Sequence, residues 1–224
     1  MNESNLSEAP VLTIKDKMIQ EIRQKTKNVL NKYFQGREYE KENVGQWKDY
    51  TMEELTDFLQ HNYKEYGFCL FIIIIKRGNI RTSANGIARQ DTDGFFFESL
   101  ETKTMYVEIR VRFYKLYQSN INYLDLYNDK LVMKINNILN SKLEGKTYSY
   151  DFADAKVEEI VIELQKYLLT QESKPCSYQM CSILSKPYDY QFYYKNINLN
   201  YLPLIASYSN DSLYSFIILF ILDN

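Results

Sequence analysis

Apolar residues in the first part of the chain recur at helical spacing. Between Ile14 and Phe34 they are separated by three or four positions, which predicts a helix that Gly36 terminates. The same spacing predicts a second helix from about Val44 to His61. In both segments the apolar residues share one face, so both helices are expected to be amphipathic.

The run from Phe68 to Ile75 has no polar side chain. It is too short for a helix across a bilayer, which needs about 20 apolar residues, and its β-branched composition favours a strand. The C-terminal run from Ser215 to Leu222 is equally short, and the N-terminus lacks the pattern of a signal peptide. The chain is therefore expected to be soluble and intracellular, with Phe68–Ile75 as a central strand covered on both faces.

Further strands are predicted after this run. Residues 79–90 alternate weakly between polar and apolar, and Asp93-Gly94 predicts a turn. The segments 95–100 and 104–117 are each rich in aromatic or β-branched residues, which predicts two more strands.

The last of these strands separates apolar from charged side chains. Every second residue from Met105 to Phe113 is apolar, whereas Glu108, Arg110 and Arg112 occupy the alternate positions. Such alternation predicts an antiparallel sheet with one covered face.

The order of helices and strands in the first half recurs in the second half at a nearly constant spacing. A shift of 109 residues superposes the two helices and the apolar strand, and the shift becomes 108 near the end. Two apolar residues match by chance, but a helix-helix-strand order kept at one spacing rarely does. Aligned positions include Gly36 with Gly145, Tyr39 with Tyr148, Glu54 with Glu163, Leu55 with Leu164, and Thr104 with Ser212.

The sequence therefore predicts an α+β chain of two repeats, each with two N-terminal helices packed on an antiparallel β-sheet. A polar N-terminal tail covers residues 1–13, repeat 1 covers 14–118, a linker covers 119–125, and a divergent repeat 2 covers 126–224. The strand that repeat 2 contributes at 178–184 is more polar than its counterpart in repeat 1, which favours a partner-facing surface there.

Charge and cysteine content exclude several classes of function. The 27 basic and 29 acidic side chains nearly cancel and form no strongly basic stretch, so nucleic acid is not an expected partner. The cysteines Cys69, Cys176 and Cys181 are odd in number and lack a secretory signal, which favours reduced, buried thiols. The last two have no second Cys or His pair at zinc spacing, so no metal site is expected.

No catalytic constellation is present in the sequence. The single histidine, His61, has no neighbouring Ser or Cys motif and is expected to face solvent, whereas Trp47 is expected in the core. Asp91, Asp93 and Glu98 form a group of carboxylates, but an Asp-rich turn accounts for the first two. Because no Gly-rich phosphate loop occurs either, we expect no catalytic residue and no cofactor.

Four stretches of the first repeat carry distinctive residues at fixed spacings. They are Y-x4-V-x-Q-W from Tyr39 to Trp47, the leucine at Leu59, I-R-T-S-A-N-G followed by T-D-G from Ile80 to Gly94, and E-x-K-T-M-Y from Glu101 to Tyr106. Together they resemble the Tctex-type dynein light chains. The resemblance covers nearly all of residues 14–117, and it departs at Ala88-Arg89, where the family usually has Trp-Asp.

This resemblance implies a mode of assembly and of binding. Members of the family pair as two-fold dimers by exchanging a strand, so a tandem copy implies an intramolecular pseudo-dimer. They bind an extended segment of a dynein intermediate chain along a sheet edge. By position, Arg81–Ala88 resembles that edge in repeat 1 and Gln191–Asn198 in repeat 2. The residues expected to contact the partner are Thr82, Ser83, Asn85, Tyr193 and Asn196.

The resemblance implies a non-catalytic dynein light chain or an associated axonemal subunit. Its expected partners are a dynein intermediate chain, other axonemal proteins and other light chains, with no nucleic acid and no membrane. The divergence and fusion of the repeats favour a fixed place in a ciliary axoneme, within the cytoskeleton. Two alternatives remain open: a cytoplasmic dynein cargo adaptor of the same family, and an α+β enzyme or ligand-binding domain with an unrecognised pocket.

Overall fold

The structure is a computed structural model. The part of the chain that it describes contains four helices and eight strands. Their order is two helices followed by four strands, and then the same again. The predicted tail at 1–13 and linker at 119–125 lie outside the described residues. The described ranges are 14–77, 80–87, 93–116, 129–170, 177–186, 190–197 and 204–222.

The helices and strands of the first half agree with the sequence periodicity. Both predicted helices are confirmed, and the second begins slightly earlier than predicted. The first half contains α1 (Ile14–Phe34), α2 (Lys41–Asn62), β1 (Tyr66–Lys76), β2 (Ile80–Ile87), β3 (Asp93–Glu101) and β4 (Met105–Lys115). The second half contains α3 (Asp129–Leu143), α4 (Tyr150–Leu169), β5 (Ser177–Ser185), β6 (Tyr190–Ile197), β7 (Leu204–Ser209) and β8 (Tyr214–Leu222).

Glycine ends the first helix of each half. Gly36 follows α1 with φ of 74° and Gly145 follows α3 with φ of 68°. This left-handed conformation strains any residue with a Cβ, so glycine is the residue that terminates a helix there. The predicted stop at Gly36 is confirmed. Ser149 caps the start of α4, because its Oγ accepts the Phe152 backbone N–H at 3.2 Å.

The strands form two antiparallel four-stranded sheets, in the orders β3-β4-β1-β6 and β2-β5-β8-β7. Each sheet therefore takes three strands from one half of the chain and one from the other. In the first sheet β1 pairs with β4 on one side and with β6 on the other. In the second sheet β5 pairs with β8 on one side and with β2 on the other. The two halves exchange their second strands.

The apolar run that was predicted as a central strand is confirmed as β1. All its residues from Tyr66 to Ile75 are buried, because helices cover one face of the strand and the second sheet covers the other. Neither face tolerates a polar side chain without a partner, which explains the unbroken apolar composition. Phe68, Leu70, Ile72 and Ile74 pack under the helices, and Cys69, Phe71, Ile73 and Ile75 pack against the second sheet.

Helices α1 and α2 pack on the outer face of the first sheet. Trp47 of α2 lies in this core, as predicted, and its ring meets Phe34 of α1 edge to face with centroids 6.1 Å apart. Helices α3 and α4 form an equivalent core with β5, β7 and β8. The order of layers is therefore helices, sheet, sheet, helices, with both sheets in the interior.

The prediction of one covered face is wrong for β4. Glu108, Arg110 and Arg112 are only 4%, 7% and 1% exposed, because the second sheet covers the face on which they lie. Arg110 donates to Glu108 and also, at 2.7 Å, to Cys181 Sγ of β5. The hydroxyl of Tyr106 donates to Glu108 Oε2 at 2.6 Å. These pairs offset the cost of burying charge between two sheets.

The predicted turn at Asp93-Gly94 is also wrong. Strand β3 begins at Asp93, which pairs with Tyr114, and Gly94 pairs with Phe113. Gly94 serves close packing within the strand, because a Cβ there would lie 2.4 Å from the Phe113 ring. Lys15 of α1 donates to the Asp93 carbonyl oxygen at 2.6 Å and so links the start of β3 to the helix layer.

The more polar strand of the second half does not face a partner. Strand β5 lies between β2 and β8, and its described side chains from Met180 to Ser185 are buried. The prediction of a partner-facing surface is wrong there. Ser182 and Ser185 are small enough to fit inside the fold, so their presence did not indicate exposure.

Glu54 of α2 ties the two first-half helices together, and its effect on stability is expected to depend on pH. Lys25 and Lys32 of α1 each donate to its carboxylate at 2.7 Å, and Tyr33 donates at 2.8 Å. The bond from Lys25, and next that from Lys32, lowers the pKa of Glu54 from 4.5 to about 2. Because the folded pKa is the lower one, this stabilisation is present above pH 4.5 and is lost as the pH falls towards 2.

Glu54→Gln is therefore expected to lower the free energy of unfolding by about 1 kcal/mol at neutral pH, a figure discounted because solvent reaches the carboxylate. The difference from the unaltered protein should shrink as the pH falls from 4.5 to 2. Urea unfolding across this range measures it, with Glu53→Gln on the exposed side of α2 as the control. A difference that stayed constant with pH would contradict the prediction.

Candidate functional site: the free edges of the two sheets

Strands β6 and β2 each stand at the end of a sheet. Within the described residues, β6 pairs only with β1 and β2 pairs only with β5. The outer side of such a strand presents backbone N–H and C=O groups that an added strand is able to pair with. These are the two strands on which the sequence placed candidate partner-binding residues.

The five predicted residues lie on these two edges, in two different sheets. Thr82, Ser83 and Asn85 belong to β2 and are in register with Ile183, Ser182 and Met180 of β5. Tyr193 and Asn196 belong to β6 and are in register with Ile72 and Cys69 of β1. The fold therefore does not bring the five together into one site, and their contact with a partner stays a prediction. Among their side chains, that of Tyr193 is described.

An open groove of about 430 Å³ lies between β6 and α2. One wall is formed by a strand from the second half of the chain and the other by a helix from the first half. The lining residues are Lys48, Asp49, Met52 and Glu53 of α2 together with Tyr193, Tyr194 and Lys195 of β6.

Tyr193 connects the two walls of this groove. Lys48 Nζ lies 3.9 Å from the centroid of the Tyr193 ring, a cation–π contact, and also forms an ion pair with Asp49. The Tyr193 ring packs partly against the first-half core. Tyr193 is in register with Ile72, on the helix-covered face, whereas Tyr194 is in register with Phe71 on the opposite face and is exposed.

The groove suits the side chains of an extended polypeptide. A strand that pairs with the outer side of β6 places every second side chain on the helix-covered face, next to Tyr193 and Met52. The intervening side chains lie on the other face, next to Tyr194. Backbone pairing supplies affinity that is independent of sequence, and these two sets of contacts supply selectivity.

Sequence reasoning missed the α2 wall of the groove. It included the tyrosines of β6 in the segment 191–198, but it did not connect that segment to Lys48 or Met52. The available signal was the helical period, since Lys48 and Met52 are four residues apart on α2 and Met52 belongs to the buried face that contains Trp47. The helical period does not show which strand lies opposite Lys48 and Met52.

The described residues show no arrangement typical of catalysis. None of their His, Cys, Asp and Glu side chains group in threes that would hold a metal ion. His61 is exposed at the end of α2, as predicted. Glu98 forms ion pairs with Arg23 at 3.0 Å and Lys27 at 3.6 Å. No helix within the described ranges is long and apolar enough to cross a membrane.

Two of the three cysteines are free and buried, as predicted. These are Cys69 and Cys181, and Cys176 lies outside the described residues. Burial raises the pKa of the Cys181 thiol to about 11, which outweighs the opposite effect of the Arg110 charge. The thiol is therefore protonated at neutral pH, and the thiolate that would act as a nucleophile is scarce.

Cys69 and Cys181 are accordingly expected to resist alkylation in the native protein. Iodoacetamide at neutral pH should modify both at least about a hundredfold more slowly than in urea, because access requires an opening of the fold that costs several kcal/mol. Peptide mass mapping of samples taken over time measures the two rates. Equal rates for Cys181 with and without urea would contradict the buried position.

The comparison with known proteins agrees with the fold of the first half. Residues 17–113 match the model of the Tctex-1 family, and this range runs from α1 to β4. No curated protein matches the chain. The family consists of non-catalytic dynein light chains. The match over residues 17–113 thus makes the first half of the chain similar to the Tctex-1 family.

Proposed function

We propose that the chain is a tandem duplication of a Tctex-type unit, and that its two halves form an intramolecular pseudo-dimer with repeats at 14–118 and 126–224. The order of helices and strands supports this, because it occurs twice. The reciprocal exchange of β2 and β6 also supports it, because each half completes the other's sheet. Such an exchange is what two identical units would make across a two-fold axis.

Equivalent hydrogen bonds in the two halves support a common origin. The backbone N–H of Tyr39 donates to Thr104 Oγ1 at 2.7 Å, between the segment after α1 and the β3-β4 turn. The backbone N–H of Tyr148 donates to Ser212 Oγ at 2.9 Å, between the segment after α3 and the β7-β8 turn. These residues are the ones that the internal alignment pairs.

Contacts between the helices recur at the same spacing. A lysine of α1 forms an ion pair with a glutamate of α2. The same lysine also lies near an aromatic ring of α2, one helical turn after that glutamate. Helices α3 and α4 make the same two contacts. The first set is Lys25 with Glu54 at 2.7 Å and with the Phe58 ring at 5.8 Å. The second set is Lys134 with Glu163 at 3.7 Å and with the Tyr167 ring at 5.7 Å.

The proposed function is that of a non-catalytic dynein light chain or associated axonemal subunit, which binds an extended partner segment by strand addition. The observation that carries this proposal is that β6 stands at the end of its sheet, among the residues that the structure describes, and borders an open groove. The proposed partners are a dynein intermediate chain or another axonemal protein. The proposed location is a ciliary axoneme, because a fused pair of divergent halves suits a fixed position in a periodic assembly.

The test is affinity purification of the tagged full-length chain from ciliated cells after cross-linking. A dynein intermediate chain or an axonemal protein is expected to co-purify. Tyr194→Asp, which alters the groove, should reduce its recovery by about tenfold. Met133→Asp, on the exposed side of α3, is the matched control and should not change recovery. If the unaltered chain recovers no such protein, the proposed function is wrong, and a tagged copy that stays outside cilia would favour the cargo adaptor.

A further inference from the structure

We propose that the outer side of β3 is a docking edge for a partner segment, separate from the edge of β6. The occupant is an extended segment of another protein in which an acidic side chain stands between two apolar ones. Strand β3 ends the first sheet, and within the described residues it pairs only with β4. An added strand is able to pair with the backbone groups on its outer side. This proposal does not depend on binding at β6.

Two phenylalanines of β3 are exposed on the face that points away from the helices. Phe95 is 45% exposed and Phe97 is 59% exposed. Phe96, between them, is buried under the helices, so strand alternation places the two exposed rings together on the opposite face. Single exposed apolar residues are common, but a pair of aromatic rings along an edge strand is a surface that favours association. A strand added to β3 would cover both rings.

The helix-covered face of the same edge carries an excess of positive charge. Glu98 forms ion pairs with both Arg23 and Lys27 of α1, so one carboxylate is shared by two cations. The Arg23 guanidinium also lies over the Phe96 ring, 4.9 Å from its centroid. Both cationic side chains are about half exposed. Because a guanidinium has several N–H donors, Arg23 is able to donate to a second carboxylate.

These two faces define the chemistry of the occupant. Side chains of an added strand alternate between the faces, and directly opposite residues have Cβ atoms about 5 Å apart. Residues opposite Phe95 and Phe97 cover the exposed rings, so apolar side chains gain most there. The residue opposite Phe96 lies beside Arg23, where an acidic side chain offsets the positive charge. The pattern is symmetric about its centre, so it holds for either direction of the added strand.

Strand β7, which ends the second sheet, differs from β3 at the corresponding positions and provides an internal control. The strand registers align β3 with β7 at a shift of 108 residues, and α1 aligns with α3 at a shift of 109. At these positions an apolar or uncharged residue replaces each charged one, so an acidic side chain gains nothing at β7. The corresponding residues are Phe97 with Ile205, Glu98 with Ala206, Arg23 with Val132, and Lys27 with Asn136.

A second copy of this chain fits the edge less well. Strand β3 itself contains no acidic residue between two apolar ones. An antiparallel register that sets Glu98 of the second copy opposite Phe96 also sets Asp93 and Glu101 opposite each other. Like charges directly opposite one another destabilise a strand pair. The incoming Glu98 would moreover already be paired within its own chain. The favoured occupant is therefore a segment of a different protein.

Titration with two synthetic peptides tests the charge requirement. One is Thr-Val-Thr-Ile-Glu-Ile-Thr-Val-Thr, and the other has lysine in place of the central glutamate. Fluorescence anisotropy of the labelled peptides with the full-length chain at low salt measures both affinities. The glutamate peptide is expected to bind at least about fivefold more tightly. The groove beside β6 has two positive and two negative side chains, so binding there gives no such preference. Equal affinities, or no binding of either peptide, would overturn the inference.

A matched pair of variants locates the binding. Phe97→Ser removes an exposed ring from β3 and is expected to weaken binding of the glutamate peptide by at least about fivefold. Ile205→Ser, at the corresponding exposed position of β7, should change that affinity by less than about twofold. An effect of Ile205→Ser as large as that of Phe97→Ser would contradict the assignment to β3.

A third variant tests the cation. Arg23→Gln leaves Glu98 its ion pair with Lys27 and should reduce the preference for the glutamate peptide by at least about twofold. A preference that survived this change in full would show that Arg23 does not contact the acidic side chain, which would also overturn the inference.

Hydrogen exchange separates this edge from the others. The glutamate peptide at saturation is expected to protect backbone amides in 93–101, and protection confined to 190–197 or 204–209 would overturn the inference. Sedimentation of the chain without peptide tests the second copy, since a dimer that Phe97→Ser abolishes would give the edge to that occupant instead. The recovery of a partner by Tyr194→Asp concerns β6, so the proposed function and this inference fail separately.

Discussion

Replacing Arg110 with alanine is expected to lower the free energy of unfolding by about 3–5 kcal/mol, because it leaves a buried carboxylate without its partner. Arg110 is 7% exposed between the two sheets and donates to Glu108 and to Cys181 Sγ. Without the guanidinium, the 4% exposed Glu108 keeps only the bond from Tyr106 among the hydrogen bonds described above. Urea unfolding at neutral pH, followed by circular dichroism, measures the loss.

Two further variants test the reason for that loss. The double variant Glu108→Leu with Arg110→Met should recover most of the stability, because replacing both members of a buried pair by apolar residues is often neutral or stabilising. Arg77→Ala breaks the exposed Arg77–Glu101 pair, at 2.9 Å, and should cost less than about 1 kcal/mol. If Arg110→Ala cost no more than Arg77→Ala, the buried pair would not be the cause.

Cutting the chain within residues 119–125 is expected to leave the two halves associated. Each sheet contains one strand from the other half, so separation would expose the apolar strand β1 along an unpaired edge. After cleavage at an inserted protease site, the protein should elute as an unchanged 1:1 complex. Its Tm should become dependent on concentration, because the association is no longer intramolecular.

The control for this experiment is a cut at a protease site inserted within residues 1–13. That cut leaves both halves on one chain, so the Tm should remain independent of concentration. Size-exclusion chromatography and thermal melts over a series of protein concentrations distinguish the two proteins. Two separate, folded fragments after the cut at 119–125 would contradict the role of the exchanged strands.

Local patterns predicted the helices and the central strand well. The spacing of apolar residues from Ile14 to Phe34 reflects the geometry of one helix, and the stop at Gly36 reflects the backbone of one residue. The run Phe68–Ile75 indicated a strand covered on both faces. These features depend on neighbours within a few positions, so they are readable without the fold.

The errors concern surfaces that are formed by distant parts of the chain. The charged face of β4 was predicted to be exposed. The alternation of apolar and charged residues along a strand shows only that its two faces differ, and it does not show what covers each face. The second sheet covers that face and supplies Cys181 as a partner to Arg110. Asp93-Gly94 has the composition of a turn, but the packing of Gly94 against Phe113 makes it part of a strand. Both outcomes depend on contacts between elements.

The candidate site was likewise predicted only in part from the sequence. Strands β2 and β6 were selected through a family resemblance and through the recurring order of helices and strands, which identify strands by their place in that order. The groove beside β6 depends on Lys48 and Met52 of α2, which are far from Tyr193 along the chain. No local pattern reports the distance between a helix and a strand from opposite halves.

By itself, the sequence determined the helices, the strand β1 and the resemblance of the first half to the Tctex-type dynein light chains, because each is encoded in the identity and periodicity of nearby residues. Only the tertiary structure decided that β2 and β6 cross to the opposite sheet, that charged residues of β4 lie between the sheets, and that α2 leaves a groove beside β6. Those features follow from packing between elements of opposite halves of the chain, which no pattern among neighbouring residues encodes.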